Sequence, residues 1–301
     1  MSASRLTIFW LSYQYDPRVR GDMGGFRTTW EMAEALERRG HRVVIFAPRL
    51  TKTPEETKTE VVWLPCPDLP GLRPLFVYLL LFVVPLWYAR RTRPDGLYFT
   101  FGLSPFPLLL ARLLRCPLIF EVRGDSAHQA RLRGDWVRAV LTDGFYRWVL
   151  PKADLVAVIS DELRRTLADR YRIPQERSWV IPCGTNLEHF TPLSAPLARR
   201  QIGLEPDRPT VGFAGTFFDY QGVQTLIEAA PSILSRFPRV LFLLVGDGEM
   251  RQDWEAMVRV KKLDSSFCFT GQMSYRDVPL YINAMDVAVA PMIARRGPVS
   301  P

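Results

Sequence analysis

The sequence holds few of the side chains from which metal sites and disulfide frameworks are built. Its 301 residues include four cysteines and three histidines, and no two cysteines form a CxxC pair. Structural zinc sites need clustered thiolate or imidazole ligands, and disulfide-stapled folds need a denser cysteine pattern. The sequence therefore argues against both, and its isolated thiols favour a reducing cytoplasm.

Motifs that mark several large enzyme classes are absent as well. There is no Walker GxxxxGK[ST] loop, no GxSxG elbow, no HExxH motif and no Asp-x-Asp pair of the type that anchors a metal-bound sugar nucleotide. P-loop phosphoryl transfer, serine hydrolysis and metal-dependent transfer therefore lack support. We expect neither a bound metal nor another cofactor.

The sequence also lacks an apolar run long enough to cross a membrane. Residues 74–89 carry no charge, but a spanning helix needs about 20 apolar residues, and Pro85 interrupts this stretch. Arginines flank it at positions 73, 90, 91 and 93. Two interpretations stay open: a helix packed on a sheet, or a helix whose outer face, within residues 74–93, lies on an anionic membrane.

What the sequence does have is an excess of positive charge. Its formal net charge is +8 and its pI is near 9.5. Most of the excess lies in residues 1–197, which carry 27 basic and 20 acidic residues. Phosphate or anionic lipid suits such a chain. A nucleic-acid partner is not expected, because no basic-aromatic platform or helix-turn-helix pattern accompanies the charge.

Short apolar runs alternate with helical spacing along the whole chain, which predicts parallel sheets covered on both faces. The predicted strands are residues 5–11, 42–47, 60–65, 96–101, 117–122, 155–160, 209–214, 240–245, 267–271 and 287–291. The proline-rich, aperiodic segment 186–198 is the predicted linker. The sequence therefore predicts an α/β chain of two Rossmann-like doubly wound domains, residues 1–190 and 191–301, with ligands at the carboxyl ends of the strands.

Two glycine-containing turns between a strand and a helix are candidate phosphate sites. Gly24 and Gly25 open the first predicted helix, with Arg27 one turn further on. Gly215 ends the first strand of the second domain, and Gly222 opens the helix that follows. Glycine lets an anion approach the backbone, and a helix N-terminus favours negative charge. A plain flexible turn is the alternative for each.

Polar residues follow another predicted strand end. Arg123 and Asp125 come directly after the fifth strand, where an arginine could clamp a diphosphate and a carboxylate could orient hydroxyls. A structural pair between arginine and carboxylate is the alternative. Gly246-Asp247-Gly248 is not a dinucleotide fingerprint, because Arg251 occupies the place of the third glycine, so a tight turn is the simpler interpretation.

Taken together and in order, these segments resemble the retaining glycosyltransferases of family 4, which have the GT-B fold. The resemblance covers nearly the whole chain. Its segments are RRGHRVVIFAP, PLIFEVRGD, VISDELRRTLADRYRIPQERSWVIPCGTNLEHFTP, GFAGTFFDYQGVQTLIEAA, LFLLVGDGEM and FTGQMSYRDVPLYINAMDVAVAP.

The resemblance implies transfer of a sugar from a nucleotide-diphosphate donor to an acceptor hydroxyl, with retention and without a metal. The second domain would bind the donor and the first a glycan or lipid-linked acceptor, in polysaccharide or glycolipid assembly. Residues 74–93 and the basic first domain suggest that this takes place at the inner face of the cytoplasmic membrane. The implied catalytic residues are Arg123 and Asp125. The implied phosphate-binding residues are Gly24, Gly25, Arg27, Gly215, Thr216, Gln221 and Gly222. The implied base-contacting residues are Gly246, Gly248, Gly271, Gln272 and Met273.

The sequence departs from the family at three positions and lacks one of its motifs. Thr216 and Gln221 stand where many members carry the arginine and lysine that grip the diphosphate, and Asn186 stands where an aspartate is common. The family's E-x7-E glutamate pair does not occur, which we interpret as truncation of the second domain. The alternatives are a catalytically silent binding module and another GT-B enzyme such as a sugar-nucleotide epimerase.

Overall fold

The computed structural model describes residues 4–13, 24–49, 59–65, 72–100, 102–132 and 134–292. The chain divides into two compact units, Met1–Thr185 and Asn186–Pro301, here called unit 1 and unit 2. Each unit is a parallel sheet with helices on both faces. This confirms the α/β class and the two Rossmann-like domains expected from the sequence.

Unit 1 contains a seven-stranded sheet in the order β3-β2-β1-β4-β5-β6-β7, and every pair is parallel. The strands are β1 (Thr7–Ser12), β2 (Arg42–Pro48), β3 (Glu60–Leu64), β4 (Gly96–Thr100), β5 (Leu118–Val122), β6 (Leu155–Val158) and β7 (Ser178–Val180). The strand order reverses between β1 and β4, and doubly wound sheets bind ligands beyond the strand ends at such a point. The sequence pattern missed β7, which has only three residues.

Alternating residues of these strands build two apolar layers. Phe9, Phe99 and Phe120 belong to the larger core cluster, to which α2, α3, α5 and α6 contribute. Trp10 and Tyr98 face the opposite side, where α1 packs. The helices of unit 1 are α1 (Gly24–Arg38), α2 (Arg73–Tyr88), α3 (Phe106–Leu114), α4 (Ser126–Leu132), α5 (Trp136–Val149) and α6 (Asp161–Tyr171).

Unit 2 repeats the arrangement with four parallel strands in the order β10-β9-β8-β11. Helices α8 and α9 pack on one face, and α7 and α10 pack on the other. The strands are β8 (Thr210–Ala214), β9 (Leu241–Val245), β10 (Phe267–Gly271) and β11 (Val287–Ala288). The helices are α7 (Ala195–Gln201), α8 (Val223–Arg236), α9 (Arg251–Val260) and α10 (Val278–Asn283).

The linker prediction needs correction, because its last four residues belong to helix α7. Arg199 is buried there, donates to the carbonyl oxygens of Ala284 (2.9 Å) and Pro206 (2.8 Å), and forms an ion pair with Asp286. The polar side chain of Arg199, rather than an apolar stripe, fixes the helix in place. Its sequence therefore shows no apolar period. The segment expected to be a spacer is thus part of unit 2.

The division between the units also lies a few residues before the expected boundary at 190. Asn186 accepts hydrogen bonds from the backbone N–H groups of Glu188 (3.0 Å) and His189 (3.3 Å), which folds the segment into a turn. The His189 ring then stacks on Tyr275 at 4.4 Å. A side chain before the expected boundary therefore already packs within unit 2.

Helix α2 contains most of the apolar stretch singled out in the sequence. It runs from Arg73 to Tyr88 and continues through Pro85. Val77 and Leu81 on its inner side join the larger core cluster of unit 1. Within the part of the chain that the structure describes, no helix is long and apolar enough to cross a membrane.

Candidate functional site

Three neighbouring strands of unit 2 end in glycine-containing loops that bond to one another. The Gly215 N–H donates to the Val245 carbonyl (2.9 Å), and the Gly246 N–H donates to the Gly271 carbonyl (3.1 Å). Phe217, which is fully buried, donates to the Asp247 carbonyl at 2.9 Å. The loops after β8, β9 and β10 therefore form one surface, here called the three-loop platform. It unites residues predicted for the phosphates with residues predicted for the base.

Close backbone approach explains why glycine is required in this platform. Gly246 has a φ of +135°, and a Cβ added there would overlap the carbonyl oxygen of Gly215 and lie 3.2 Å from the Phe217 ring. A Cβ on Gly248 would lie 2.7 Å from the Phe217 carbonyl oxygen. The Gly248 carbonyl oxygen accepts the Arg251 N–H at 3.2 Å, so a turn begins at Gly248, whereas Gly246 forms a bridge to Gly271. The turn also brings two loops together, which a sequence pattern does not reveal.

Helix α8 begins at this platform without a side-chain cap. Gly222 adopts a left-handed conformation with φ 72° and precedes the helix, and no side chain accepts from the first turn. The first N–H groups of a helix have no intrahelical partner, so they are suited to an anion. Thr216 and Gln221 lie in the same loop and are half-buried. Neither carries charge, so the helix amides are the positive element that this loop offers.

Arg251 is a platform residue that the sequence interpretation treated only as a defect in a glycine motif. It is the first residue of α9, and a Cβ on Gly271 would lie 3.0 Å from its Nη1. Its guanidinium donates to Glu255 (2.8 Å) and to Asp247 (3.1 Å). The hydrogen bond to Glu255 is the main factor that raises the Arg251 pKa. Because two carboxylates already compensate its charge, Arg251 braces the loops.

The predicted base loop offers its main chain and a single side chain to a ligand. Gly271 ends β10 with φ 77°, and Gln272 is exposed. The Met273 side chain packs against the core cluster that contains Ala284 and Met285. Only the backbone of this loop can therefore act alongside the exposed Gln272 amide.

In unit 1, Arg123 lies just beyond the end of β5, beside helix α1. Its Nε donates to Glu121 Oε1 at 3.0 Å, and its Nη2 lies 3.5 Å from Thr29 Oγ1. Glu121 is only 3% exposed, so this is a largely buried charge pair. Burial, and then the Glu121 charge, raise the pKa of the neighbouring Tyr98. The positioning role of Glu121 was missed because an isolated acidic residue inside a strand has no motif.

Arg123 and the predicted Gly24-Gly25 turn are close together in the fold. Helix α1 begins at Gly24, as the sequence predicts, and Thr29 follows five residues later. At 1.5 Å per residue this is about 7 Å along the helix axis. The arginine thus lies within about two turns of the helix N-terminus. The side chain of Arg27 and the preceding loop, residues 14–23, lie outside the described residues, so the role predicted for Arg27 stays a prediction.

Asp125 has structural partners of its own. Its Oδ1 accepts the His128 N–H (2.9 Å) at the start of α4, and its Oδ2 pairs with Arg170 Nη1 (2.7 Å). Arg123 pairs with Glu121 instead. The alternative of a structural pair between arginine and carboxylate therefore applies to both residues, with different partners. His128 is exposed in this turn.

A second carboxylate extends this network towards α5 and α6. Asp143 accepts from Tyr171 Oη (2.8 Å) and from Arg147 (3.3 Å), and it lies 3.5 Å from Arg131. Burial alone would raise the pKa of Asp143, but the Tyr171 hydrogen bond and the arginine charges outweigh it and lower that pKa. The network anchors the loop that holds Asp125.

Among the described residues, no group of three or more His, Cys, Asp or Glu side chains is placed to hold a metal ion. Asp247 of the platform and Glu255 of α9 are both engaged by Arg251, and the loops after β8 and β9 also carry Asp219 and Glu249. The platform offers a ligand neutral side chains and the first amides of α8 as well.

The geometry can be compared with known proteins. Residues 23–189 match the family described as Glycosyltransferase Family 4, and residues 208–300 match Glycosyl transferases group 1. The first match alone covers more than half of the chain. This chain belongs to glycosyltransferase family 4. Its family 4 segment contains the Arg123 turn, and its group 1 segment contains the three-loop platform.

Curated relatives of this family 4 chain are named as sugar transferases. It is 27% identical over 197 residues to an alpha-D-kanosaminyltransferase from Streptomyces kanamyceticus, covering 62% of this chain and 49% of the relative. It is 26% identical over 188 residues to a 2-deoxystreptamine glucosyltransferase from the same organism, covering 61% and 49%. The chain spans about half the length of these relatives.

Solved structures show the same fold at lower identity. Sucrose-phosphate synthase from Thermosynechococcus elongatus has a TM-score of 0.76 and 22% identity, covering 96% of this chain and 76% of the synthase. Anabaena Alr3699/HepE in complex with UDP-glucose has a TM-score of 0.65 and 18% identity, covering 94% and 73%. These likenesses confirm the fold class expected from the family resemblance.

Proposed function

We propose that the family 4 chain transfers a sugar from a nucleotide-diphosphate donor to an acceptor hydroxyl, with retention of configuration and without a metal ion. The observation that carries the proposal is the three-loop platform at the carboxyl ends of β8, β9 and β10. Its glycines let the loops approach closely beside the N-terminus of α8, whose first backbone amides have no capping side chain. Such amides stabilise the negative charge that develops on a diphosphate leaving group.

The side chain that we assign to charge neutralisation is Arg123, supported by the start of α1 with Gly24 and Gly25. Glu121 holds the Arg123 Nε edge, which fixes the guanidinium plane at little entropic cost. Asp125, tied to Arg170, would act by holding this turn in place. The leaving phosphate would take the acceptor proton on the same face of the sugar, which retains configuration.

For the donor we propose a uridine or guanosine diphosphate sugar, and for the acceptor a glycan or a lipid-linked glycan. The related HepE structures contain UDP and UDP-glucose, which supports a uridine donor. The test is calorimetric titration with UDP-glucose, UDP-N-acetylglucosamine and GDP-mannose, with and without EDTA. Binding that EDTA does not change supports the proposal, and binding that requires a divalent cation refutes the metal-independent part.

The neutral residues at 216 and 221 allow a sharper experiment. Thr216→Arg and Gln221→Lys would restore the cations that many family members carry. A hydrogen bond to a charged group contributes about 1.5–3 kcal/mol, so each variant should tighten diphosphate binding about tenfold or more. Gly144→Ala, at an open position on α5, is the matched control. Unchanged affinity in both variants would show that the donor does not occupy the platform.

A catalytically silent binding module is the second candidate, favoured by the lack of a cation at Thr216 and Gln221. A binding module and a glycosyltransferase differ in whether they turn over the donor. A binding module would release heat with a donor but form no product from labelled donor and glycan acceptors. A glycosyltransferase would form a product whose anomeric configuration, measured by NMR, matches that of the donor.

We further propose that the chain works at the inner face of the cytoplasmic membrane, through residues 74–93. The outer side of α2 exposes Leu75, Leu79, Val83 and Trp87, and the Arg91 guanidinium lies 5.2 Å from the Trp87 ring centroid. An apolar stripe flanked by cations suits an anionic bilayer. Flotation of a Leu79→Glu, Val83→Glu variant with anionic vesicles tests this contact, and recovery equal to the native chain would refute it.

A further inference from the structure

Helix α5 exposes an apolar stripe that the sequence pattern did not single out. Trp136, Val137, Val140 and Leu141 are each between 63% and 73% exposed, and Trp148 is 44% exposed. At 100° per residue these positions share one side of the helix. Exposed apolar side chains are ordinary when single, but a contiguous patch of this kind marks an interaction surface.

The stripe faces away from the core of unit 1. Ala139, Tyr146 and Val149 lie on the opposite side of α5 and are buried, the last two in the cluster that also contains Val77 and Leu81 of α2. Both helices therefore cover the same face of the sheet. Each turns an apolar stripe outward, so two separate elements expose apolar side chains on one side of unit 1.

The charge around these stripes distinguishes between possible occupants. Over residues 73–93, 105–117 and 135–152 the exposed cations outnumber the acidic residues, which are only Asp135 and Asp143. The exposed cations are Arg90, Arg91, Arg93, Arg112, Arg115, Arg138, Arg147 and Lys152. A second copy of this surface would meet it with like charge, which costs free energy. An anionic bilayer would meet it with opposite charge.

On each of the two helices a cation lies near the ring of an exposed tryptophan. Lys152 Nζ lies 4.6 Å from the Trp148 ring centroid, as Arg91 lies over Trp87. Tryptophan favours the level of the lipid headgroups, where its apolar ring and a neighbouring cation are both accommodated. We infer that α5 is a second bilayer-contacting helix and that its outward stripe, together with that of α2, docks unit 1 on an anionic lipid surface.

This inference extends the membrane contact proposed for α2, but it does not depend on glycosyl transfer. The test is flotation of the whole chain with phosphatidylcholine vesicles and with vesicles containing one quarter phosphatidylglycerol. The test variant is Trp136→Ser, Val140→Ser, Leu141→Gln, which removes apolar groups and leaves every charge in place. Sugar-donor calorimetry on the same samples reports separately on the proposed reaction.

Trp179→Ser provides a matched control. Trp179 is 61% exposed, close to the 63% of Trp136, but it pairs in register with Ala157 of β6. Ala157 alternates with Val156 and Val158, which face the cluster beneath α2 and α5. The side chain of Trp179 therefore lies on the other face of the sheet, away from the inferred surface.

We expect the native chain and Trp179→Ser to float with the anionic vesicles, and the α5 variant to partition at least tenfold more weakly. Raising the salt concentration should weaken binding of the native chain. Equal flotation of the α5 variant and the native chain would refute the inference. Failure of the native chain to float would also refute it. A native dimer in light scattering that the α5 variant converts to a monomer would refute it as well, because that result assigns the stripe to self-association.

Discussion

Gly246→Ala tests the physical basis of the three-loop platform most directly. Gly246 has a φ of +135°, where an alanine is strained. The added methyl would overlap the Gly215 carbonyl oxygen and lie 3.0 Å from the carbonyl carbon. The clashing atoms are backbone, so they cannot rotate away as a side chain would. The neighbouring loop must move instead.

The expected magnitude follows from two contributions. A non-glycine residue at positive φ costs about 1–2 kcal/mol, and overpacking of a tight site costs about 1–3 kcal/mol. Their sum is about 2–5 kcal/mol, which for a unit of this size corresponds to a melting temperature lower by about 10 °C or more. Because the displaced carbonyl belongs to Gly215, donor affinity should fall as well.

Gly203→Ala is the control that separates these contributions. Gly203 also lies in unit 2 and has a φ of +75°, but a Cβ there would meet no atom within 4 Å. It should therefore lose only the backbone contribution, about 1 kcal/mol. Differential scanning calorimetry and titration with UDP-glucose measure both effects. If the two variants melt within a degree of each other, close approach of the loops is not what requires glycine at 246.

Three further outcomes are expected from the ion pairs and thiols of unit 1. Glu121→Ala should lower the unfolding free energy by about 3 kcal/mol in urea, because it leaves the Arg123 charge uncompensated, whereas Glu121→Gln should lose about half as much; equal losses would contradict this. The pKa of Asp143 is lowered, so its ionised carboxylate stabilises the fold at any pH above the ordinary value near 4, and this stabilisation is lost as the pH falls through the lowered pKa. Asp143→Asn should therefore flatten the acid limb of a pH–stability curve. Burial raises the pKa of Cys116 to about 11, which leaves about one thiolate in a thousand at pH 8, so iodoacetamide should label exposed Cys183 far sooner, as mass spectrometry can follow.

The sequence alone established the architecture, because the doubly wound fold follows from local patterns. Apolar runs bounded by glycine, proline or charge identified ten strands, and the helix that begins at Gly24 is where its turn predicts. Elements stabilised by polar contacts were missed. Helix α7 is held by Arg199 and has no apolar period, and β7 is too short to show one.

The candidate site was predicted unevenly for a similar reason. Gly215 could be chosen from the end of an apolar run, whereas Gly246 and Gly271 were implied by the family resemblance. That they bond to each other depends on the order of β8, β9 and β10 in the sheet, which is non-local. Glu121 and Arg251 were missed as positioning residues because their partners are set by the fold.

The α5 stripe shows a feature that the tertiary structure reveals and the sequence does not. The residues Trp136, Val137, Val140, Leu141 and Trp148 are apolar, and a sequence pattern assigns such residues to the interior. Only the packing of Tyr146 and Val149 against the sheet decides which side of the helix is buried and which faces outward. Hydrophobicity belongs to each residue, whereas burial belongs to the assembled layers. The sequence therefore determined what this protein is built from, and the tertiary structure decided which surfaces and charges are left to act.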